Sequence, residues 1–363
     1  MAMAQTAPAP AAAASAPVNS LETVVVSGRR AALQSAQKIK QNADEIVDSI
    51  VADDIGKLPD RSVTEVLQRV VGVTIDRTMA KNDPEHYSVE GSGVNIRGLS
   101  MVRSELNGRD TFSANGGRAL NFEDVPPELM AGVDVYKSPS AKQIEGAIGG
   151  LVNLRTALPF DYAGFKAAMS VDGTYSKLQK KWSPSGSALL SNRWKTDLGD
   201  IGAMVSLAHS ESNTRNDTVQ VEPYFLIDAD RSDSSTAGTV WAPRGMAWRT
   251  LEFQRKRDGL YGALQWKKDT LASSVTFFQS KYQMNWNETA NFGQAGSPYD
   301  LALKPGYTVD KNNVLQTGTL YNASGFYGSD WGAVNFGADT RYASRKSDTK
   351  DLSWNLTWKP NNQ

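Results

Sequence analysis

From about residue 163 the chain alternates apolar and polar side chains. A period of two means strands with one apolar and one polar face. Phe165, Met169, Val171 and Tyr175 alternate with Lys166, Ser170, Asp172 and Thr174. Leu352, Trp354, Leu356 and Trp358 alternate with Ser353, Asn355 and Thr357, and Leu260, Leu264 and Trp266 share a face. A repeat sharpens the pattern. Trp194-Lys195, Trp266-Lys267 and Trp358-Lys359 each close a strand-like segment ahead of a short polar turn. A Trp at the same end of every second strand suits the aromatic girdle of a membrane barrel. The connections at the other end, roughly 213–245 and 288–345, are long and polar. Short turns on one side and long loops on the other fit the bacterial outer-membrane pattern. A soluble β-sandwich with Trp at its strand ends is the other reading; the repeated phase favours the membrane.

About six long strands follow residue 160, and even eight leave an interior wide enough only for side chains. A barrel around a folded domain needs on the order of 22 strands. The expectation is therefore the N-terminal part of a larger antiparallel barrel, truncated in a turn at Asn361-Asn362-Gln363. No apolar run reaches the roughly 18 residues of a membrane helix.

The N-terminal half has a different texture. Ala2-Met3-Ala4 fits either a signal-peptide cleavage remnant or an arbitrary Ala-rich start, and residues 6–17 form an Ala/Pro linker. Leu21-Glu22-Thr23-Val24-Val25-Val26 favours an extended strand, either a tethered segment for pairing with another sheet edge or a first domain strand. Residues 45–158 read as an α+β domain. Ser62 and Glu65 form a capping-box pattern. Val63, Val66, Leu67, Val70 and Val71 fall on one helical face before Gly72. Val73-Thr74-Ile75, Val94-Asn95-Ile96-Arg97, Val133-Asp134-Val135-Tyr136 and Leu151-Val152-Asn153-Leu154-Arg155 read as strands between glycine-rich turns.

Composition narrows the chemistry. Lys+Arg and Asp+Glu both number 39, which argues against nucleic acid as partner. There is no Cys, and the two His, His86 and His209, are far apart, so no metal site or cofactor is expected. Gly91-Ser92-Gly93 with Gly98 is not GxGxxG, and Asp228, Asp230 and Ser232 lack the Gly and Glu of a calcium loop. No HExxH, GxSxG or Walker A motif supports an enzyme.

Taken in order, these segments resemble a TonB-dependent outer-membrane transporter. Glu22-Thr23-Val24-Val25-Val26 resembles the TonB box. Asp54-Ile55-Gly56-Lys57-Leu58-Pro59 through Val73 resembles the opening of the plug, and Val94-Asn95-Ile96-Arg97-Gly98 its I-R-G strand. Val133 to Pro139, with Gly146-Ala147-Ile148-Gly149-Gly150 and Val152-Asn153 behind, resembles the plug's closing motif. The resemblance implies a linker over 1–20, a TonB box and linker over 21–44, a plug over 45–158 and the first barrel strands over 159–363. It implies that Arg97 pairs with a barrel carboxylate on strands beyond residue 363. Lys137, where the family has Arg, puts the second such pair in doubt. Asn107, Arg109, Asp110 and Phe112 are candidates for a substrate-binding loop, with loop stabilisation their plainer role.

The implied function is import across the bacterial outer membrane. The inner-membrane TonB–ExbB/ExbD complex would pull on the TonB box from the periplasm. Other partners would be outer-membrane lipid and a small-molecule substrate. The Lys137-Ser138-Pro139 variant is similar to a Caulobacter- and Xanthomonas-type subgroup, some of whose members take up oligosaccharides. An iron chelate such as a siderophore is the alternative substrate. A passive porin needs neither TonB box nor plug, and a signalling receptor would carry a further periplasmic domain.

Overall fold

The computed structural model describes residues 20–52, 58, 60–78, 87–88, 91, 93–110, 121–141, 143–227, 240–295, 301–322 and 334–360. Helix α1 (Ser20–Asn42) opens them, so the backbone of residues 22–26 is helical and not extended. The C-terminal part of α1 explains the difference. Ala31, Ala32, Leu33, Gln34, Ala36, Gln37, Lys38 and Lys40 are strong helix formers. Once that segment is nucleated, propagation through the Val run costs only tenths of a kcal/mol per residue, about 0.5.

The N-terminal domain forms around α2 (Val63–Gln68). The Ser62 hydroxyl accepts the Glu65 N–H at 3.2 Å and caps it. Val63, Val66, Leu67 and Val70 are buried, but Val71 is exposed. The helix stops short of Val71, and Gly72 turns the chain at a φ of 78°. The strands are β1 (Val47–Val51), β2 (Val73–Asp76), β3 (Gly93–Ile96), β4 (Val102–Leu106), β5 (Arg109–Asp110), β6 (Gly132–Tyr136) and β7 (Gly150–Arg155). Five make a mixed sheet in the order β1-β6-β7-β4-β5, with β4 parallel to β7, while β2 and β3 pair separately. Gly150 enters β7 at a φ of +145°, where an added Cβ would lie 2.7 Å from Ile96 Cδ1 and 2.8 Å from the Tyr136 carbonyl.

The second half is a meander of β8 (Lys166–Ser176), β9 (Lys181–Thr196), β10 (Gly199–Val221), β13 (Gly245–Lys268), β14 (Leu271–Ala295) and β19 (Val334–Trp358), each antiparallel to the next. The strands run further than their apolar alternation alone indicates. β10 continues to Val221 and β19 starts at Val334, so the long connections are 222–244 and 296–333. The upper strand halves are polar on the outer face as well, which hides the period of two. The long connections carry β11 (Tyr224–Ile227) paired with β12 (Val240–Pro243), β15 (Leu301–Leu303) with β18 (Leu320–Asn322), and β16 (Thr308–Val309) with β17 (Leu315–Thr317). Ile227, Val240, Ala242, Ala295, Leu301 and Leu303 bury a small core between these connections.

The two faces of the meander meet different surroundings. Leu189, Met204, Ala208, Tyr261, Ala263 and Phe278 point inward and join the core of the N-terminal domain. The outer face can be read rung by rung from the register. The rungs are Trp194–Ile201–Trp266–Ser273–Leu356, then Asn192–Ala203–Leu264–Val275–Trp354, then Leu190–Val205–Gly262–Phe277–Leu352, then Met169–Ala188–Leu207–Leu260–Gln279–Lys350. Leu190, Leu207, Leu264, Leu352 and Trp354 on these rungs are exposed. Four rungs span about 20 Å along the strands, close to the apolar band of a membrane barrel. Gln279 and Lys350 already enter the fourth rung, the next is His209–Asp258–Lys281–Asp348 and the one above it Glu211–Lys256–Gln283–Lys346, so the apolar band gives way to charge.

Close contact of the halves depends on two wall glycines. A Cβ on Gly202 would lie 2.6 Å from Pro159 Cβ, and one on Gly259 2.7 Å from Leu129 Cδ1. Gly259→Val is expected to loosen the N-terminal domain by about 1–3 kcal/mol through overpacking. Urea titration read by protease cleavage of that domain checks this, and an unchanged midpoint would mean that the seam is not packed there.

Candidate functional site

The junction between the N-terminal domain and the wall is built on a single-turn 3-10 helix, Phe122–Asp124. Pro126 and Pro127 follow it, and with no N–H to donate they stop the turn from growing into a longer helix. Phe122, Val125, Leu129 and Met130 bury themselves in the core, which leaves Glu123 and Asp124 facing the wall. Arg345 of β19 answers both: Nη1 lies 2.5 Å from Glu123 Oε1 and Nη2 2.8 Å from Asp124 Oδ1. Arg257 of β13 donates to the Glu123 carbonyl, and the Ser280 hydroxyl of β14 donates to the Asp124 carbonyl. Burial pushes both carboxyls above their ordinary range, and the Arg345 charge opposes that shift. The Tyr282 ring stands near both guanidiniums, 5.9 Å from Arg257 and 5.2 Å from Arg345.

Nearer the short turns, Tyr261 donates to the Ala157 carbonyl at 2.9 Å and accepts from the Thr156 hydroxyl at 2.9 Å. Gln265 Oε1 accepts the Phe160 N–H at 2.8 Å. Nearer the long connections, Arg249 Nη1 lies 2.8 Å from Glu288 Oε1 and Arg341 Nη2 3.1 Å from Glu288 Oε2. Glu222, fully buried, is 3.8 Å from Arg249.

The residues singled out by sequence do not carry this junction. Arg97 Nη1 donates to the Lys137 carbonyl at 3.3 Å, and Lys137 pairs with Asp48 of β1. Both contacts lie inside the N-terminal domain. The resemblance puts the carboxylate partners of Arg97 and Lys137 on strands beyond residue 363, so this junction is a different one: among the described residues, the domain supplies the carboxylates and the wall the guanidiniums. Asn107 sits at a tight turn with a φ of 53°, and its Oδ1 accepts the Thr156 N–H at 2.9 Å. Thr156 meets Tyr261, seven residues from the short-turn end of β13, so Asn107 lies on the side away from the long connections. Asp110 pairs with Arg103 at 2.5 Å and Arg109 is exposed, while Phe112 lies outside the described residues. Glu123, Asp124, Arg257 and Arg345 gave no sequence signal beyond a charged pair before Pro-Pro and an arginine at an inward strand position.

Residues 22–26 lie in α1, whose Lys40 reaches Asp48 at 2.5 Å. Burial raises the Asp48 carboxyl, but hydrogen bonds from Lys137 and Lys40 outweigh it and hold the net value below the ordinary one. A carboxyl depressed in the folded state contributes fully above its unfolded value, near 3.8, and loses that contribution as pH falls through the folded value. Asp48→Asn should therefore flatten the acid limb of the unfolding midpoint below that pH. An unaltered acid limb would show that the Lys40–Asp48–Lys137 tie adds nothing to stability. Arg345→Leu strands two buried carboxyls and should cost about 3–5 kcal/mol in docking of the domain. Protease protection in urea reads it.

Residues 39–151 match the family model described as the TonB-dependent receptor plug domain. No curated protein matches the chain. Among solved structures it is similar to the ferric citrate transporter FecA in the unliganded form, with 14% identity over 90% of this chain and 62% of that one and a TM-score of 0.35. It is similar to a mutant of the ferric enterobactin receptor PfeA from Pseudomonas aeruginosa, with 14% identity over 90% and 61% of the two chains and a TM-score of 0.38. The siderophore receptor PirA from Acinetobacter baumannii gives 13% identity over 90% and 60% and a TM-score of 0.37. The chain thus spans about three fifths of the length of these structures. Its fold is a plug domain seated against antiparallel strands of barrel type.

Proposed function

We propose that the chain is part of a transporter that imports a small molecule across a bacterial outer membrane, powered through its N-terminal segment by TonB and the ExbB/ExbD complex. One observation carries this reading: a plug-family domain packs against a strand wall whose opposite face is an exposed apolar band. A soluble protein rarely exposes so large a continuous apolar surface, whereas lipid covers it at no penalty. The plug obstructs passive flow, so transport needs work, and an outer membrane has no nucleotide or ion gradient of its own to supply it. Residues 22–26 would be the handle, with strand pairing to TonB as the grip.

An oligosaccharide is the first substrate reading, resting on the resemblance of the Lys137-Ser138-Pro139 segment. An iron chelate is the second, favoured by the arginines on the inner wall.

Two outcomes are expected. Deleting residues 22–27 should abolish concentrative uptake in cells while the protein stays in the outer membrane. Uptake that survives the deletion would sink TonB coupling and favour a passive pore. Leu264→Arg, in the middle of the apolar band, should cost about 2–4 kcal/mol of membrane insertion. It should lower the amount in the outer-membrane fraction, and an undiminished amount would argue that lipid does not cover this face.

A further inference from the structure

The outer face of the wall carries a second apolar patch, far above the first. Its two rungs cross β10, β13, β14 and β19: Val219–Trp248–Asn291–Ala338 and Val221–Met246–Gly293–Phe336. Parity puts them on the outer side. Val219 and Val221 alternate in step with Leu207, and Met246 and Trp248 in step with Leu264, while Ala247 and Leu251, of the other parity, are buried. Val219, Val221, Met246, Trp248 and Phe336 are all exposed, Phe336 at 84% and Val219 at 64%. The Phe336 ring lies over Gly293, where an added Cβ would stand 3.1 Å from its Cε1, and so sits beside Met246.

Lipid does not reach this patch. From Leu207, at the top of the apolar band, to Val219 is twelve residues of β10, about 40 Å of strand. A strand tilt of about 40° turns that into roughly 30 Å of height above the band. The rungs between are polar, among them Asn213–Gln254–Asn285–Ser344 and Asp217–Thr250–Thr289–Thr340. The plug does not cover the patch either, because it packs on the opposite face of the wall. A contiguous apolar surface left in water marks an interaction site. Its residue types agree: Trp, Phe and Met, with an exposed Arg244 two residues from Met246, are the types enriched where proteins meet. The strands above it are already stiff. Ile227, Val240 and Ala242 pack with Leu301 and Leu303, and the Trp241 N–H donates to the Asn313 carbonyl at 2.9 Å, so little freedom is lost on docking.

We propose that a second copy of this chain covers the patch, in a two-fold pair whose axis runs along the membrane normal. The pair rests on the import reading only for the placement in an outer membrane. All copies enter a membrane in one direction, so a two-fold that relates them must run along the normal. That axis turns outer face to outer face and brings each patch opposite its own copy at equal height, a match that any other partner would have to acquire separately. The charges around the patch allow it. Below it the β10–β13 hairpin sets opposite signs side by side: Arg215 with Asp217 and Glu252, Lys256 with Glu211, and His209 with Asp258. A surface of alternating sign turned onto itself meets no block of like charge. Tilted strands of facing copies cross steeply, as in orthogonally packed sheets, so contact is confined to a compact area. Two rungs on four strands are such an area. Their side chains offer on the order of 600 Å² a copy, the low end of a stable interface. Shared orientation in the membrane plane removes much of the rotational freedom that association otherwise costs.

The chain has no Cys, so single cysteines report on it cleanly. Intact cells carrying the protein with Trp248→Cys or Val219→Cys are treated with a short bis-maleimide, and their outer-membrane fractions are run on a denaturing gel. The expected product is a band of twice the monomer mass. Two copies with tags of different length, expressed together, should add a band of intermediate mass. Adding Met246→Glu should weaken the doubled band at least fivefold, and Val221→Glu serves if Met246→Glu lowers the amount in the membrane. Lys281→Cys, on the same face but next to the lipid boundary, should stay monomeric. A protein present in the outer membrane without the doubled band overturns the pair and leaves the import reading standing. An adduct to another protein or to lipopolysaccharide, or an equally strong doubled band from Lys281→Cys, likewise overturns the pair alone. Recovery of the parent outside the outer-membrane fraction overturns both readings.

Discussion

Arg345 reaching Glu123 and Asp124 is the contact on which the arrangement of the two halves depends. The apolar seam alone would let the plug settle in several ways, because dispersion and burial are not directional. A half-buried guanidinium between two buried carboxylates is directional and tolerates little displacement. It fixes the Phe122–Asp124 turn against β13, β14 and β19, and from there the rest follows. Leu129 seats on Gly259, Phe160 and Pro159 seat near Gly202, and Tyr261 closes on Thr156 and Ala157. The lock is costly when half-broken, which would suit the proposed role of a domain that moves only under load.

The wall was legible because its two faces meet different media. Leu352, Trp354, Leu356 and Trp358 read as one apolar face from sequence, and the register sets them on the outer surface beside Leu271, Ser273, Val275 and Phe277. The strand ends near Trp194, Trp266 and Trp358 were legible for the same reason. The upper halves of β10, β13, β14 and β19 were not, because Thr250, Gln254, Asn285 and Ser344 on the outer face are as polar as a loop. Where the outer face is wet and the inner face mixes Arg249, Arg255 and Glu288 with Leu251, Phe253, Tyr282 and Met284, the apolar period of two fades and hydrogen bonding to the neighbouring strand marks the structure.

The junction was illegible for another reason. It joins residues 134 to 222 positions apart, and each partner looks ordinary in its own segment. Arg345 lies in the run Arg341-Tyr342-Ala343-Ser344-Arg345-Lys346, where an inward arginine and an outward lysine differ only by parity. Arg97 and Lys137 drew notice through their motifs, yet they close contacts within the plug. Asn107 drew notice as a loop polar residue and proves to be a turn residue, held at positive φ by its bonds to Thr156. Local chemistry marks such residues, and only the docked geometry says which of them face another domain.

The helical state of residues 22–26 bears on how a handle could work. Strand pairing with a partner needs extended backbone, so the α1 helix must open first. Val24, Val25 and Val26 make that opening easy, since β-branched residues lose side-chain freedom in a helix and gain little from staying there. The Ala/Gln/Lys part behind them resists more, and it leads to Lys40, which shares Asp48 with Lys137. Asp48 lies on β1, the edge strand of the five-stranded sheet, whose one strand partner among the described residues is β6. Tension entering at residue 22 would therefore meet resistance in rising order: a weak helix of valines, a stronger helix, one shared ion pair, then a strand with a single partner. Glu123 and Asp124 lie further along the chain than all of these, so the lock on the wall is the last of these contacts to feel the load.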